Sequence, residues 1–180
     1  MRQFGEGGAI LKIDKIATEF FYTKWEDEDF GPKRVSTGNS KFQTFWEFWT
    51  LLLAAIAWST HLSGKGVLFA GDNTASLQLA LDLKGQREMN LISRELAWRK
   101  AREGWKFALA HLPEEQNKTA DALSRQFAPK PLPFPSSALK NAKRILSSPP
   151  ALVWRIAEDN LADHPPVRSK RKRTAHEQHL

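Results

Sequence analysis

The chain has 180 residues and a mass of 20.5 kDa, of which 41% are hydrophobic and 26% charged. That is enough for one domain with a core and a tail, and too little for two full domains. It contains no cysteine, which excludes disulfides, thiolate zinc sites and thiol catalysis. The longest apolar run, Leu51 to Trp58, is far short of the roughly 18 to 20 residues of a membrane span. The opening MRQFGEGG lacks the apolar centre of a secretory signal, so the expected setting is intracellular.

The net charge of +7 is unevenly placed. Residues 1–127 hold 17 Lys and Arg against 16 Asp and Glu, whereas residues 128–180 hold 10 against 4 and eight of the ten prolines. Regular core elements do not tolerate that density of proline. A domain over 1–127 followed by a proline-rich, basic and largely disordered tail over 128–180 is therefore expected.

In chain order, Ala9 to Ile13 and Ile16 to Trp25 are β-prone runs that read as an antiparallel hairpin. Ser40 and Gln43 make a capping box ahead of FQTFWEFWTLLLAAIAWST, an apolar run too long for a strand, which predicts a buried helix closed by Gly64 and Gly66. Val67 to Ala70 reads as a strand covered on both faces. Helices are predicted over Thr74 to Leu83 and Leu91 to Glu103, the second stopped by Gly104. Trp105 to His111 reads as a strand broken by Pro113, and Asn117 to Phe127 as a last helix opened by Asn117. This order predicts an α/β fold with a mixed sheet flanked by helices. The tryptophans, Trp46, Trp49, Trp58, Trp98 and Trp105 among them, are read as packing residues and not as base-stacking platforms. In the tail, Ser137 to Ser147 and Leu152 to Leu161 have the pattern of short helices, and RSKRKR over 168–173 is a solvated charge run.

Four residues stand out for chemistry. Glu47 is the only ionisable side chain between Phe42 and Thr60, and a carboxylate on an apolar helix costs several kcal/mol unless donors or cations meet it. The alternative is a helix that starts later, with Thr44 as its cap and Glu47 completing a T-x-x-E box. Asp72 follows the strand VLFAG, at the carboxyl end where α/β sheets bind ligands; it also has the pattern of an ordinary helix cap. Asp121 lies on the last predicted helix and is equally readable as a surface acid. His111 ends a strand, where a hydrogen-bonded structural role is the common one. Taken together, three carboxylates and a histidine around one sheet suit hard divalent cations, Mg2+ or Mn2+, which take oxygen ligands. Two such ions can clamp the attacking and leaving oxygens of a phosphodiester.

The stretches GDNTASL, LISRELAWRKAREGW and HLPEEQNKTADALSR, in this order, resemble the ribonuclease H domain of retrotransposon and pararetrovirus-type reverse transcriptases. GEGGAIL is similar to that family's first glycine-rich turn, FFYTKW to its third strand, and QTFWEFWTLLLAAIAW to its acidic-residue helix, so the resemblance covers about residues 4–127. It implies a ribonuclease H-like fold cleaving the RNA strand of RNA–DNA hybrids, with Glu47, Asp72 and Asp121 as metal-binding carboxylates and His111 as a mobile proton carrier or product-release residue. It also implies Asn73 and Thr74 beside the hybrid backbone, Asn117 shaping the loop before the last helix, and a longer polyprotein carrying a reverse transcriptase domain. The family's first catalytic Asp and the central strand that carries it would fall ahead of Met1. Asp14 lies at the far end of the next strand and Glu6 at a non-catalytic position, so neither substitutes. The expectation is a fragment of a longer polyprotein, or a decayed copy, with weak or no cleavage. A reading of another class is a non-catalytic nucleic-acid-binding remnant that grips phosphates through Arg168, Lys170, Arg171, Lys172 and Arg173; the same run has the composition of a nuclear import signal.

Overall fold

The computed structural model describes residues 5–25, 42–85 and 88–147. The hairpin forms as β1 (Gly5–Ile13) and β2 (Ile16–Trp25), paired antiparallel from Gly5 opposite Trp25 to Ile13 opposite Ile16. Its two-residue turn puts Asp14 and Lys15 at φ of 50° and 67°, the left-handed pair whose twist matches that of the flanking strands. The first strand begins four residues earlier than its apolar run suggests, because glycine is used there for close approach and not to break the strand. A Cβ at Gly8 would come within 2.7 Å of the Leu123 Cβ and 2.9 Å of the Ser124 nitrogen, and one at Gly7 would collide with Thr50 and Trp25. Neighbouring strand residues face opposite ways. Gly7 thus admits the helix on one face of β1, and Gly8 the helix on the other.

Those helices are α1 (Gln43–Ala57) and α5 (Glu114–Ser124). Helix α1 buries Phe45, Trp46, Phe48, Trp49 and an unbroken run from Leu51 to Ala55; apolar on nearly all sides, it is the centre of the core. Trp58, at its end, donates from Nε1 to Glu19 of β2 at 2.9 Å. A single turn, α2 (Ser59–Leu62), and Gly64 at φ +71° then lead into β3 (Gly66–Gly71). Helices α3 (Thr74–Asp82) and α4 (Glu88–Glu103) follow, and Gly104 at φ +67° ends the second before β4 (Lys106–His111). Strands β3 and β4 pair in parallel, from Gly66 opposite Lys106 to Gly71 opposite His111.

The molecule is α/β, with a mixed sheet flanked by helices. Among the described residues the strands form two ladders, β3-β4 and one of β1, β2 and a short fifth strand, β5 (Lys143–Arg144), and no strand joins them. Three expectations need correction. The strand around Val67 to Ala70 is covered on one face only: burial alternates along it, Val67 and Phe69 pack against the core, and Leu68 is 62% exposed. A run of apolar residues fits one-sided cover when the outward positions are small or tolerate water. Trp98 is not core: it lies 47% exposed on the outer face of α4, with the Arg102 guanidinium 4.2 Å from its ring centroid. Trp46, Trp49, Trp58 and Trp105 are buried as expected.

The third concerns the segment after Phe127. The structure describes it as far as Ser147, where part of it packs on β2. Residues 136–141 form turns in place of the expected helix, and Lys143–Arg144 form β5, parallel to β2 beside Glu19 and Phe20. Ile145 donates its N–H to the Phe20 carbonyl at 2.9 Å, and Leu139 is buried with Phe20 and Leu123. Prolines at 131, 133 and 135 keep the approach to these turns extended, and pairing of Lys143 and Arg144 with β2 takes the backbone of the second half away from a helix. The second tail helix expected, over 152–161, lies outside the described residues.

Candidate functional site

Glu47 sits inside α1, not at its start: Phe42 is the cap residue and makes no side-chain capping bond. This removes Thr44 as the cap, since it is already helical; the capping box expected to open at Ser40 lies outside the described residues. Glu47 is half-buried, and its Oε1 accepts from Gln43 Nε2, one turn earlier, at 2.8 Å. Burial holds its carboxyl above the usual range. Hydrogen bonds from Gln43 and Asn73 pull the other way, and the negative charges of Asp72 and Asp121 add to the rise. Glu47 therefore lies within electrostatic reach of both other acids, each from a different element.

Asp72 is not a helix cap. That role falls to Asn73, whose Oδ1 accepts from the Ser76 N–H at 3.0 Å. Asp72 is left exposed at the carboxyl end of β3. The Asn73 oxygen fixes the first turn of α3, and its side chain is among the groups that pull the Glu47 carboxyl back down against burial. Thr74 is the exposed first residue of α3. His111, exposed at the end of β4, lies opposite Gly71 in the ladder, and the Leu112 N–H closes on the Gly71 carbonyl at 2.8 Å. The histidine thus stands one strand over from the residue preceding Asp72.

Asp121 is half-buried on α5, where its Oδ1 accepts from Arg125 Nε at 2.8 Å. The helix starts three residues earlier than expected, so Asn117 is inside its first turns and shapes no loop. Proline at the cap position and Glu114 and Glu115 in the first turn, where acids complement the positive helix end, account for the early start. The structure thus puts Asp72 and Asn73 just after β3, with His111 at the end of the adjacent strand, and Glu47 and Asp121 on α1 and α5. Arg168, Lys170, Arg171, Lys172 and Arg173 lie outside the described residues.

Sequence reasoning missed the partners. Gln43 and Arg125 each stand four positions from the acid they hold, a spacing that puts side chains together on a helix; both pairs were readable from the chain. The pull of Asn73 on Glu47 had no such signal, because it crosses between elements 26 positions apart.

The donor chemistry suits Mg2+ or Mn2+, hard ions that take carboxylate oxygens. The arrangement does not complete such a site: among the described residues no three His, Cys, Asp or Glu side chains are grouped so as to hold a metal ion. Compared with known proteins, the chain matches no family model, no curated protein and no solved structure.

Proposed function

We propose that this chain is a ribonuclease H-type nuclease domain of a retroelement, directed at the RNA strand of RNA–DNA hybrids, with an incomplete acid set and therefore weak or no hydrolysis on its own. The reading is supported by the position of Asp72, exposed at the carboxyl end of β3, and by the raised Glu47 carboxyl, held up first by burial, with the charges of Asp72 and Asp121 adding to the rise. Like charges that raise a carboxyl also raise the energy of the fold unless a cation offsets them, and a divalent ion bound with phosphate would do so. The sequence motifs GDNTASL and NKTADALSR, on which the resemblance rests, carry two of the three acids.

The chain's own residues have definable parts in this reading. Gln43 orients Glu47. Arg125 holds Asp121 and neutralises part of its charge. The Asp72 carboxylate, exposed, is the acid free to meet an incoming group, and His111 is placed to exchange a proton with solvent beside it.

The test is cleavage of an end-labelled RNA–DNA hybrid in magnesium, by this chain and by a version extended ahead of Met1 with a strand bearing one Asp. That strand would meet the free edges that β1 and β3 leave among the described residues. The extended chain should cut only the RNA strand and lose cutting with Asp72→Asn, while the present chain cuts little. Failure of the extended chain would overturn the nuclease assignment. Vigorous cutting by the present chain, lost in Asp72→Asn, would overturn the incompleteness.

A second reading, binding of nucleic acid without catalysis, is favoured by the Arg125 ion pair, which occupies Asp121, and by the absence of a three-donor group among the described residues. Hybrid binding that survives Asp72→Asn in an extended chain that never cuts would select it.

A further inference from the structure

The strand-like segment after α5 builds a surface that the candidate acids do not use. Between Ala122 and Ser147 the chain carries Arg125, Lys130, Lys140, Lys143 and Arg144 and no acid. Where it folds back on β2 it surrounds Tyr22. The Tyr22 ring lies 5.6 Å from Phe127 and 6.0 Å from Phe134, and the Arg144 guanidinium stands 3.9 Å over its face. Packing explains only the inner part of this cluster, since Phe20 and Leu139 are buried whereas Phe127 and Phe134 keep 39% and 40% of their surface exposed. Lys140, Lys143 and Arg144 are exposed at its border. The surface also adjoins one of those acids: Arg125, which holds Asp121, is two residues from Phe127, whose N–H donates to Glu6 at 3.3 Å.

We infer that this aromatic and basic face binds single-stranded nucleic acid, stacking unpaired bases on Phe127 and Phe134 and holding phosphates with Lys140, Lys143 and Arg144. Exposed rings set among cations are the combination that single strands require: every base has a face to stack, and every nucleotide brings a negative charge. A duplex offers no free base faces to these rings, so the surface would take the unpaired strand that continues from a hybrid. An acidic protein segment would satisfy the cations and leave the exposed rings unexplained. The inference rests on the nucleic-acid part of the proposed function and not on its carboxylates.

The experiment is fluorescence polarisation of the full chain with labelled single-stranded oligo(U), with a blunt RNA–DNA hybrid and with heparin, a polyanion that has no bases. Phe134→Ala and Phe127→Ala should each weaken oligo(U) binding about tenfold, the effect of losing one stacked base. Both should leave heparin binding unchanged, and Phe134→Tyr should retain oligo(U) binding. Lys140→Gln with Lys143→Gln should weaken both ligands and flatten the salt dependence of oligo(U) binding by roughly 0.7 for each phosphate no longer neutralised. Lys170→Gln with Lys172→Gln separates any grip by the terminal charge run. Circular dichroism confirms that each variant folds, and the exposed lysine pair serves if a phenylalanine variant does not.

Unchanged oligo(U) affinity in the folded phenylalanine variants would overturn the inference. So would an equal fall for heparin, which would assign the face to acidic partners in general. Asp72→Asn should leave oligo(U) binding intact, so a failure of the nuclease reading and a failure of this one are told apart.

Discussion

The two halves of the sheet are built from similar apolar runs and end in different environments. Strand β1 is gripped on both faces, by α1 over Gly7 and by α5 over Gly8. The β3–β4 pair is covered on its inner face, where Phe69 and Phe107 meet at 4.9 Å with rings nearly perpendicular, while its outer face leaves Leu68 and Ala108 open to solvent. Side-chain size decides the difference. Two adjacent glycines let two helices approach one strand from opposite sides, whereas the outward Gly66, Leu68 and Ala70 of β3 offer no ridge or notch for a helix to engage. Glu47 and Asp121 come from the helices on β1, and Asp72 from the end of β3.

Four substitutions test this contrast, beginning with the largest effect. Trp49→Ala in α1 empties the centre of the core and should cost about 3–5 kcal/mol, read as a lower midpoint in urea unfolding; a loss under about 1 kcal/mol would mean that α1 is not the element holding the halves together. Gly8→Val drives a side chain into Leu123 and Ser124 and should cost about 1–3 kcal/mol. It should also displace α5, so that Asp121 no longer adds to the raised pKa of Glu47 in an NMR titration.

The third concerns Glu47. Below its ordinary value of 4.5, Glu47 is protonated in the folded and the unfolded chain alike. As pH rises the unfolded chain ionises first, because burial delays ionisation in the fold, and stability is lost as pH passes through the raised folded value. Glu47→Gln, neutral throughout, should therefore melt at a higher temperature than the parent at neutral pH, and the gap should close in acid. A gap independent of pH would show that the carboxylate is not strained by burial. The smallest effect belongs to the open face: Leu68→Ser should change stability by no more than about 0.5 kcal/mol, and a larger loss would show that something covers β3 in solution.

Much of the order of elements was legible in the chain. The hairpin, the helix around Trp49, the stops at Gly64 and Gly104 and the strand ending at His111 all follow from local period and local backbone preference. The legible part of the candidate site was the identity of its acids, not their roles. Asp72 and Asn73 are both good caps, and only the geometry of the first turn assigns the cap to Asn73 and leaves Asp72 free. Trp98 and the short helix expected over 137–147 were misread for related reasons: composition reports what a residue can do, while its position around a helix or against a neighbouring strand decides what it does.

What the sequence determined by itself was the succession of strands and helices, their stops at glycine, and the supply of acids near element ends. Each depends on preferences within a few residues along the chain. Tertiary structure alone decided that Glu47 senses Asp72 and Asp121, that β3 is covered on one side, and that residues 128–147 return to β2 and enclose Tyr22. Those outcomes depend on distances through space between segments far apart in the chain, and they are set by packing density and by the cost of leaving charge and backbone without partners.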